Sequence, residues 1–142
     1  MNPETVFLDT NIFLRYLTND LPHQADAAEL LLLKAERGEL KLITSSLVVA
    51  EIVWTLSSYY RLSKEDIRLK ILAILNTPGL EVENGRLILQ AVDWFVDKNV
   101  DFLDAYNASW LMGKGLEAVY TFDQKHFQRF EKLKVRVPSR AH

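Results

Sequence analysis

The stretch Val6-Phe7-Leu8-Asp9-Thr10-Asn11-Ile12-Phe13 decides the reading of this chain. An apolar, strand-like run ends abruptly in a carboxylate. A small polar pair follows, and a helix-like pattern then begins. In an open α/β sheet, ligands bind beyond the carboxyl ends of the strands. Asp9 stands at such an end, so the question becomes whether other carboxylates arrive there.

Working outward, strands and helices alternate. Thr5–Leu8 reads as a strand and Thr10–Leu17 as a helix. Asn19-Asp20-Leu21-Pro22 is a turn that supplies a helix cap, with proline near the first helical position. Gln24–Arg37 is helical and Gly38 ends it. Lys41–Thr44 is a short strand and Ser46–Tyr60 a helix. Ser63-Lys64-Glu65-Asp66 starts a helix whose Ile67, Ile71, Ile74 and Leu75 form one apolar stripe. Pro78-Gly79 breaks the chain before the strand Leu80–Glu83. Leu87, Ala91, Trp94 and Phe95 mark a helix ending near Lys98-Asn99. Phe102–Met112 is helical, Val119–Phe122 a strand, His126–Phe130 a short helix and Lys134–Val137 a last strand. The alternation predicts an α/β fold with a mainly parallel sheet and helices on both faces. Short apolar strands suit a sheet buried on both sides.

The chain has 142 residues, enough for one domain with a real core, and it is read as one domain over 1–142. No repeat, linker or low-complexity tract interrupts it. There is no cysteine, which excludes disulfides, thiolate zinc sites and thiol catalysis. Met1-Asn2-Pro3-Glu4 lacks the basic start and apolar stretch of a signal peptide. No apolar run approaches the roughly 20 residues of a membrane span. The expected location is the cytoplasm.

The net charge of −2 hides an asymmetry. From residue 125 onward there are six basic residues and one acid, Glu131, a net +5, which leaves −7 on residues 1 to 124. A basic end on an acidic body suits local contact with a phosphate backbone. Lys125 and Arg129 are the nearest such residues to Asp123. The plainer reading is a solvated surface.

Four acids are candidates for one cluster. Asp9 has a structural alternative as a helix cap, which Thr10 or Asn11 could serve equally well. Glu51 is the most anomalous, with helical neighbours Leu47, Val48, Trp54 and Thr55. A lone carboxylate buried there would be costly unless paired or metal-bound. Its alternative is a place at the stripe's edge, reaching solvent. Asp101 and Asp104 form a normal helix start, and Asp101 can cap while Asp104 points from the first turn. Asp123 repeats Asp9, an acid at the end of an apolar strand. Clustered carboxylates repel and raise one another's pKa values, and a divalent cation relieves this. All-oxygen ligands favour Mg²⁺ or Mn²⁺ over zinc. His23, His126 and His142 show no zinc-type pairing. One or two hard cations beside an anionic sheet edge suit phosphodiester hydrolysis.

Together the pieces Phe7-Leu8-Asp9-Thr10-Asn11, Ser46 through Glu51, Asp101-Phe102-Leu103-Asp104-Ala105, and Thr121-Phe122-Asp123 with Phe127 resemble a PIN domain. More narrowly, they resemble the VapC-like toxins of toxin–antitoxin pairs. The pieces occur in family order, span nearly the whole chain and show no substitution at an acidic position. The resemblance implies a Rossmann-like three-layer fold with a five-stranded sheet of order 3-2-1-4-5. It implies a Mg²⁺- or Mn²⁺-dependent endoribonuclease acting on single-stranded or loop RNA. Asp9, Glu51, Asp104 and Asp123 resemble its metal-site quartet. Asp9 and Asp104 match the direct ligands, Glu51 a holder of metal or activating water, and Asp123 part of a second, weaker site. Asn11 and Thr121 match supporting residues and Asp101 a peripheral acid. The family also implies a homodimer and a cognate antitoxin.

Three rival readings remain at this level. A haloacid-dehalogenase-like phosphatase also starts with a strand ending in Asp, but places a second acid where this chain has Asn11. A binding module would keep the scaffold without turnover. A nuclease of RNA processing or repair would keep the chemistry without the toxin role.

Overall fold

The computed structural model describes residues 2–140. Twelve elements run along these residues: β1 (Glu4–Phe7), α1 (Thr10–Thr18), α2 (Pro22–Glu36), β2 (Leu40–Thr44), α3 (Ser46–Ser58), α4 (Lys64–Leu75), β3 (Leu80–Val82), α5 (Gly85–Asp97), α6 (Phe102–Gly113), β4 (Ala118–Tyr120), α7 (Gln124–Phe127) and β5 (Lys134–Arg136). The chain divides into two units, Met1–Gly85 and Arg86–His142.

The first unit carries a parallel sheet of order β1-β2-β3, in which Val6 pairs with Leu42 and Leu42 with Leu80. Its strands are joined by helices, as parallel pairing requires. Leu8, Leu42 and Thr44 lie on one face and are buried. Phe7, Lys41 and Glu81 share the opposite face and stay exposed. Within this unit the three strands therefore pack one face. Leu40-Lys41-Leu42 alternates, and alternation is the mark of a sheet with one packed face.

The helices of this unit supply the core. Val49, Ile52 and Leu56 of α3 are fully buried with Ile67 and Ile71 of α4. The expected α4 stripe forms, and Ser63 caps it by accepting the Asp66 amide at 3.1 Å. Pro22 opens α2 as expected, but the preceding residue, Leu21, offers no side-chain cap. Asp20 is engaged instead by Tyr60, Arg15 and Thr18, at 2.6, 2.8 and 3.0 Å. Gly79, at φ +79°, sits where a Cβ would lie 2.3 Å from the Ala35 carbonyl oxygen. Both the backbone sign and the close approach require glycine there.

The second unit is built on α5 and α6. Ile88, Ala91, Val92 and Phe95 form the buried face of α5, and Phe102, Ala105 and Ala108 that of α6. Trp94 meets Phe130 edge to face at 4.9 Å. The Ser109 hydroxyl donates to the Leu87 carbonyl at 3.0 Å. β4 and β5 pair in parallel, Val119 with Val135, and the Thr121 amide extends the ladder to Arg136.

Five parallel strands form, in neighbour orders 3-2-1 and 4-5 that agree with expectation. The single five-stranded sheet does not: the described strands make one sheet of three and one of two. The second pair is only three residues long on each side, so it offers few ladder bonds. Among the described residues, no helix is long and apolar enough to cross a membrane.

Candidate functional site

In the first unit the site residues gather where β1 and β2 give way to helices. Asp9 occupies the cap position of α1 in extended conformation, yet its side chain makes no cap hydrogen bond. The structural alternative for Asp9 is thus not what its carboxylate does. Thr10, the first residue of α1, is buried, and its hydroxyl donates to Oε1 of Glu51. The bond ties α1 to α3 across 41 residues of sequence.

Glu51 itself is exposed, on a stripe of α3 shared with Leu47 and Trp54. Glu51 is therefore not buried and takes the alternative place at the stripe's edge, reaching solvent. What distinguishes Glu51 is its tether. Asn11, expected as a supporting residue, is exposed, and the bond to Glu51 comes from the neighbouring Thr10.

The start of α3 is held differently. Ser45 accepts the Val48 amide at 3.2 Å. Glu83, just beyond β3, accepts both the amide and the hydroxyl of Ser46, at 3.0 and 2.9 Å. Those two bonds hold the Glu83 carboxyl below its ordinary pKa, since they favour the charged form.

In the second unit Asp101 takes the cap position of α6, again without a side-chain cap bond, so the expected capping by Asp101 is not made. Its amide instead donates to Nδ1 of His126 at 3.3 Å. The same nitrogen lies 3.7 Å from Asp104 Oδ2, which is proximity and too long for a hydrogen bond.

Asp104 points from the first turn of α6 and is partly buried. Desolvation pushes its carboxyl above the ordinary range; the charges of Asp101 and Asp123 add to this, and His126 opposes it when protonated. Asp123 holds the cap position of α7 without a cap bond. The turn around it is fixed by Thr121, whose hydroxyl accepts the Asp123 amide at 2.9 Å and lies 3.2 Å from the Asp123 carbonyl, to which it donates. Thr121 therefore supports the backbone that carries this acid.

The two cations expected near Asp123 part company. Arg129 directs its guanidinium onto the carbonyls of Lys98 and Asn99, at 2.9 and 2.6 Å, where α5 has just ended. Cations are favoured at that end of a helix by its dipole and its orphan carbonyls. Lys125 lies exposed in α7.

Within neither unit do three or more Asp, Glu or His side chains among the described residues stand close enough to hold a metal ion. The donors themselves suit a hard cation. Asp9 is uncommitted, Glu51 has one oxygen engaged, and Asp104 is a desolvated carboxyl among like charges. His126 and Thr10 were missed as site residues. Their only sequence signal was position: Thr10 beside the strand-end acid, and His126 three residues after another.

Residues 6–133 match the family model described as PIN domain. The chain belongs to the PIN domain family. The matched span takes in Asp9, Glu51, Asp104 and Asp123. A VapC ribonuclease of Aquifex aeolicus (strain VF5) is 27% identical over 126 residues, covering 89% of this chain and 90% of that protein. Two solved structures are also similar. VapC20 of Mycobacterium tuberculosis, described as a sarcin-ricin loop cleaving toxin, has 22% identity and a TM-score of 0.41, with 88% of this chain and 95% of that one covered. VapBC2 of Rickettsia felis, solved with a DNA fragment from its promoter, has 18% identity and a TM-score of 0.38, with 95% and 99% covered.

Proposed function

We propose that this chain is a divalent-cation-dependent endoribonuclease, the toxin of a toxin–antitoxin pair. The observation that carries the chemistry is the set of helix-start aspartates, Asp9, Asp101 and Asp123, that sit at cap positions and withhold their side chains. A carboxylate there that satisfies no helix amide is available to a ligand. The RNA substrate and the toxin role follow the VapC ribonuclease relative and the family resemblance.

Asp9, Glu51, Asp104 and Asp123 are assigned to hold one or two Mg²⁺ or Mn²⁺ ions. Bound there, such an ion supplies a Lewis acid that eases deprotonation of the attacking water and stabilises the leaving oxygen. The chain's own part is to orient the acids. Thr121 fixes the turn bearing Asp123, His126 accepts the Asp101 amide, and the Asp101 carboxylate makes no cap bond. Lys125 is proposed to meet the RNA backbone. The proposed partners are single-stranded or loop RNA, a cognate antitoxin that covers the site and a second copy of this chain, all in the cytoplasm as one domain.

The test is cleavage of a mixed RNA pool with Mg²⁺ or Mn²⁺. Wild type is expected to leave 3′-hydroxyl and 5′-phosphate ends. Asp9→Ala and Asp104→Ala are each expected to lose at least about 100-fold in rate, the upper range for disturbing a metal site. Undiminished cleavage in EDTA would sink the metal mechanism. Expression that is harmless without an adjacent antitoxin gene would move the protein to RNA processing.

A further inference from the structure

Thr10 lies outside the acidic set, yet it is the one residue beside Asp9 whose side chain reaches another candidate ligand. It is 6% exposed, so its hydroxyl must find a protein acceptor. Other threonines of this chain bond locally or to backbone. Thr77 and Thr44 donate to the carbonyls of Ala73 and Leu8, and Thr18 reaches the Leu14 carbonyl and the carboxylate of Asp20, two residues on. Thr10 alone among these donates to a charged side chain on another helix, Oε1 of Glu51.

Glu51 needs such a partner if it is to act on a ligand. It is exposed, with three rotatable bonds, and no second hydrogen bond reaches its carboxylate among the described residues. An untethered surface glutamate samples many rotamers, whereas ligands to a cation are held by outer partners. Thr10 is stiff at χ1 because it is β-branched, and its backbone is continuous with that of Asp9. One residue thereby fixes the side chain of Glu51 relative to the backbone that bears Asp9. Oε1 is engaged and Oε2 is left open.

We propose that Thr10 is a positioning residue whose hydroxyl holds Glu51 in the orientation that serves the divalent cation. This rests on the metal-nuclease reading above. The competing explanation is a plain brace between α1 and α3, which would affect stability without favouring any ligand.

The experiment measures Mn²⁺ affinity by calorimetry, kcat and KM on a fluorogenic single-stranded RNA, and thermal unfolding. It compares wild type, T10V, T10S, E51Q and the double variant T10V/E51Q. T10V keeps the shape and removes the hydroxyl; T10S keeps the hydroxyl. T10V is expected to weaken Mn²⁺ binding about 10- to 100-fold and to lower kcat with KM for RNA unchanged. T10S restores most of both. In the E51Q background, T10V adds nothing further, because Thr10 acts on the cation only through the Glu51 carboxylate, which E51Q removes. Should T10V fail to fold, T10A carries the same expectation with no bulk to misfit. T10V binding Mn²⁺ as wild type does, T10S failing as T10V does, or fully multiplicative losses in the double variant would each overturn the inference. A wild type that binds no Mn²⁺ and cuts no RNA overturns the nuclease reading and this inference together. A wild type that does both while T10V matches it overturns the inference alone.

Discussion

The starts of α1 and α3 are made of the same parts and used in opposite ways. Each helix follows a parallel strand, and each has a small polar residue or carboxylate at its cap. At α3 every polar group is spent on the helix: Ser45 takes the Val48 amide and Glu83 takes the Ser46 amide and hydroxyl. At α1 none is. Asp9 makes no cap bond, and Thr10 turns its hydroxyl to Glu51. A helix start that caps itself is stabilised, and one that does not is left with donors and a carboxylate to offer elsewhere. The starts of α6 and α7 follow α1, with Asp101 and Asp123 uncommitted. The start of α4 follows α3, with Ser63 capping.

The largest expected effect breaks this comparison directly. Ser45→Ala should cost about 1 kcal/mol of stability, as lost caps do, and leave RNA cleavage intact. Asp9→Ala should do the reverse, with unfolding by urea almost unmoved and cleavage lost. If Asp9→Ala destabilises as much as Ser45→Ala, the carboxylate caps in solution and the distinction fails.

This contrast also marks the limit of what the sequence made legible. The element order and the parallel pairing were readable, because hydrophobic period and glycine or proline breaks are local signals; the run 3-2-1 came from the family resemblance. The candidate acids were readable too, since Asp9, Asp101, Asp104 and Asp123 stand just before or inside a helix start and Glu51 interrupts an apolar run. Their use was not. An acid before a helix reads as a cap whether or not it caps, and only the side-chain rotamer separates Asp9 from Ser45. Glu51 was singled out for a burial it does not have, because α3 turns Leu47 and Trp54 outward as well. Thr10 and Glu83 form bonds to residues 41 and 37 positions away, and no local pattern encodes those. The break of the expected sheet into three and two strands depends equally on long-range pairing.

A smaller effect separates the two cations after Asp123. Arg129 caps the end of α5 through the carbonyls of Lys98 and Asn99. Arg129→Ala should therefore cost about 0.5–1 kcal/mol in urea unfolding. Lys125→Ala should leave stability alone and reduce the salt slope of RNA binding by about 1. An unchanged slope in Lys125→Ala would assign that charge to solvation. A changed slope in Arg129→Ala, with stability unmoved, would mean that its carbonyl contacts give way to RNA.

The smallest effect concerns the acid that pays in stability for its position. Asp104 is held above the ordinary carboxylate range by desolvation, with Asp101 and Asp123 adding to it. The folded state therefore binds this proton more tightly than the unfolded chain does. Stability contributed by the protonated group is present in acid and lost as pH rises from the ordinary carboxylate value through the raised one. At neutral pH the ionised carboxylate is a standing cost, which Asp104→Asn removes. The variant should melt about 1–2 °C above wild type at pH 7, and the gain should vanish in acid, where Asp104 is protonated in both states. Added Mn²⁺ should raise the wild-type midpoint and leave Asp104→Asn where it was, since only a ligand that binds the folded state shifts the midpoint. Asp20 gives the opposite sign within the same molecule. Its carboxyl is lowered to about 2, first by the Tyr60 hydrogen bond, so its contribution is present at neutral pH and lost as pH falls from the ordinary carboxylate value through that one. Should Asp104→Asn melt below wild type at pH 7, Asp104 would belong with Asp20 and Glu83 among carboxylates committed to the fold, and the division between helix starts that cap and helix starts that bind would not extend to α6.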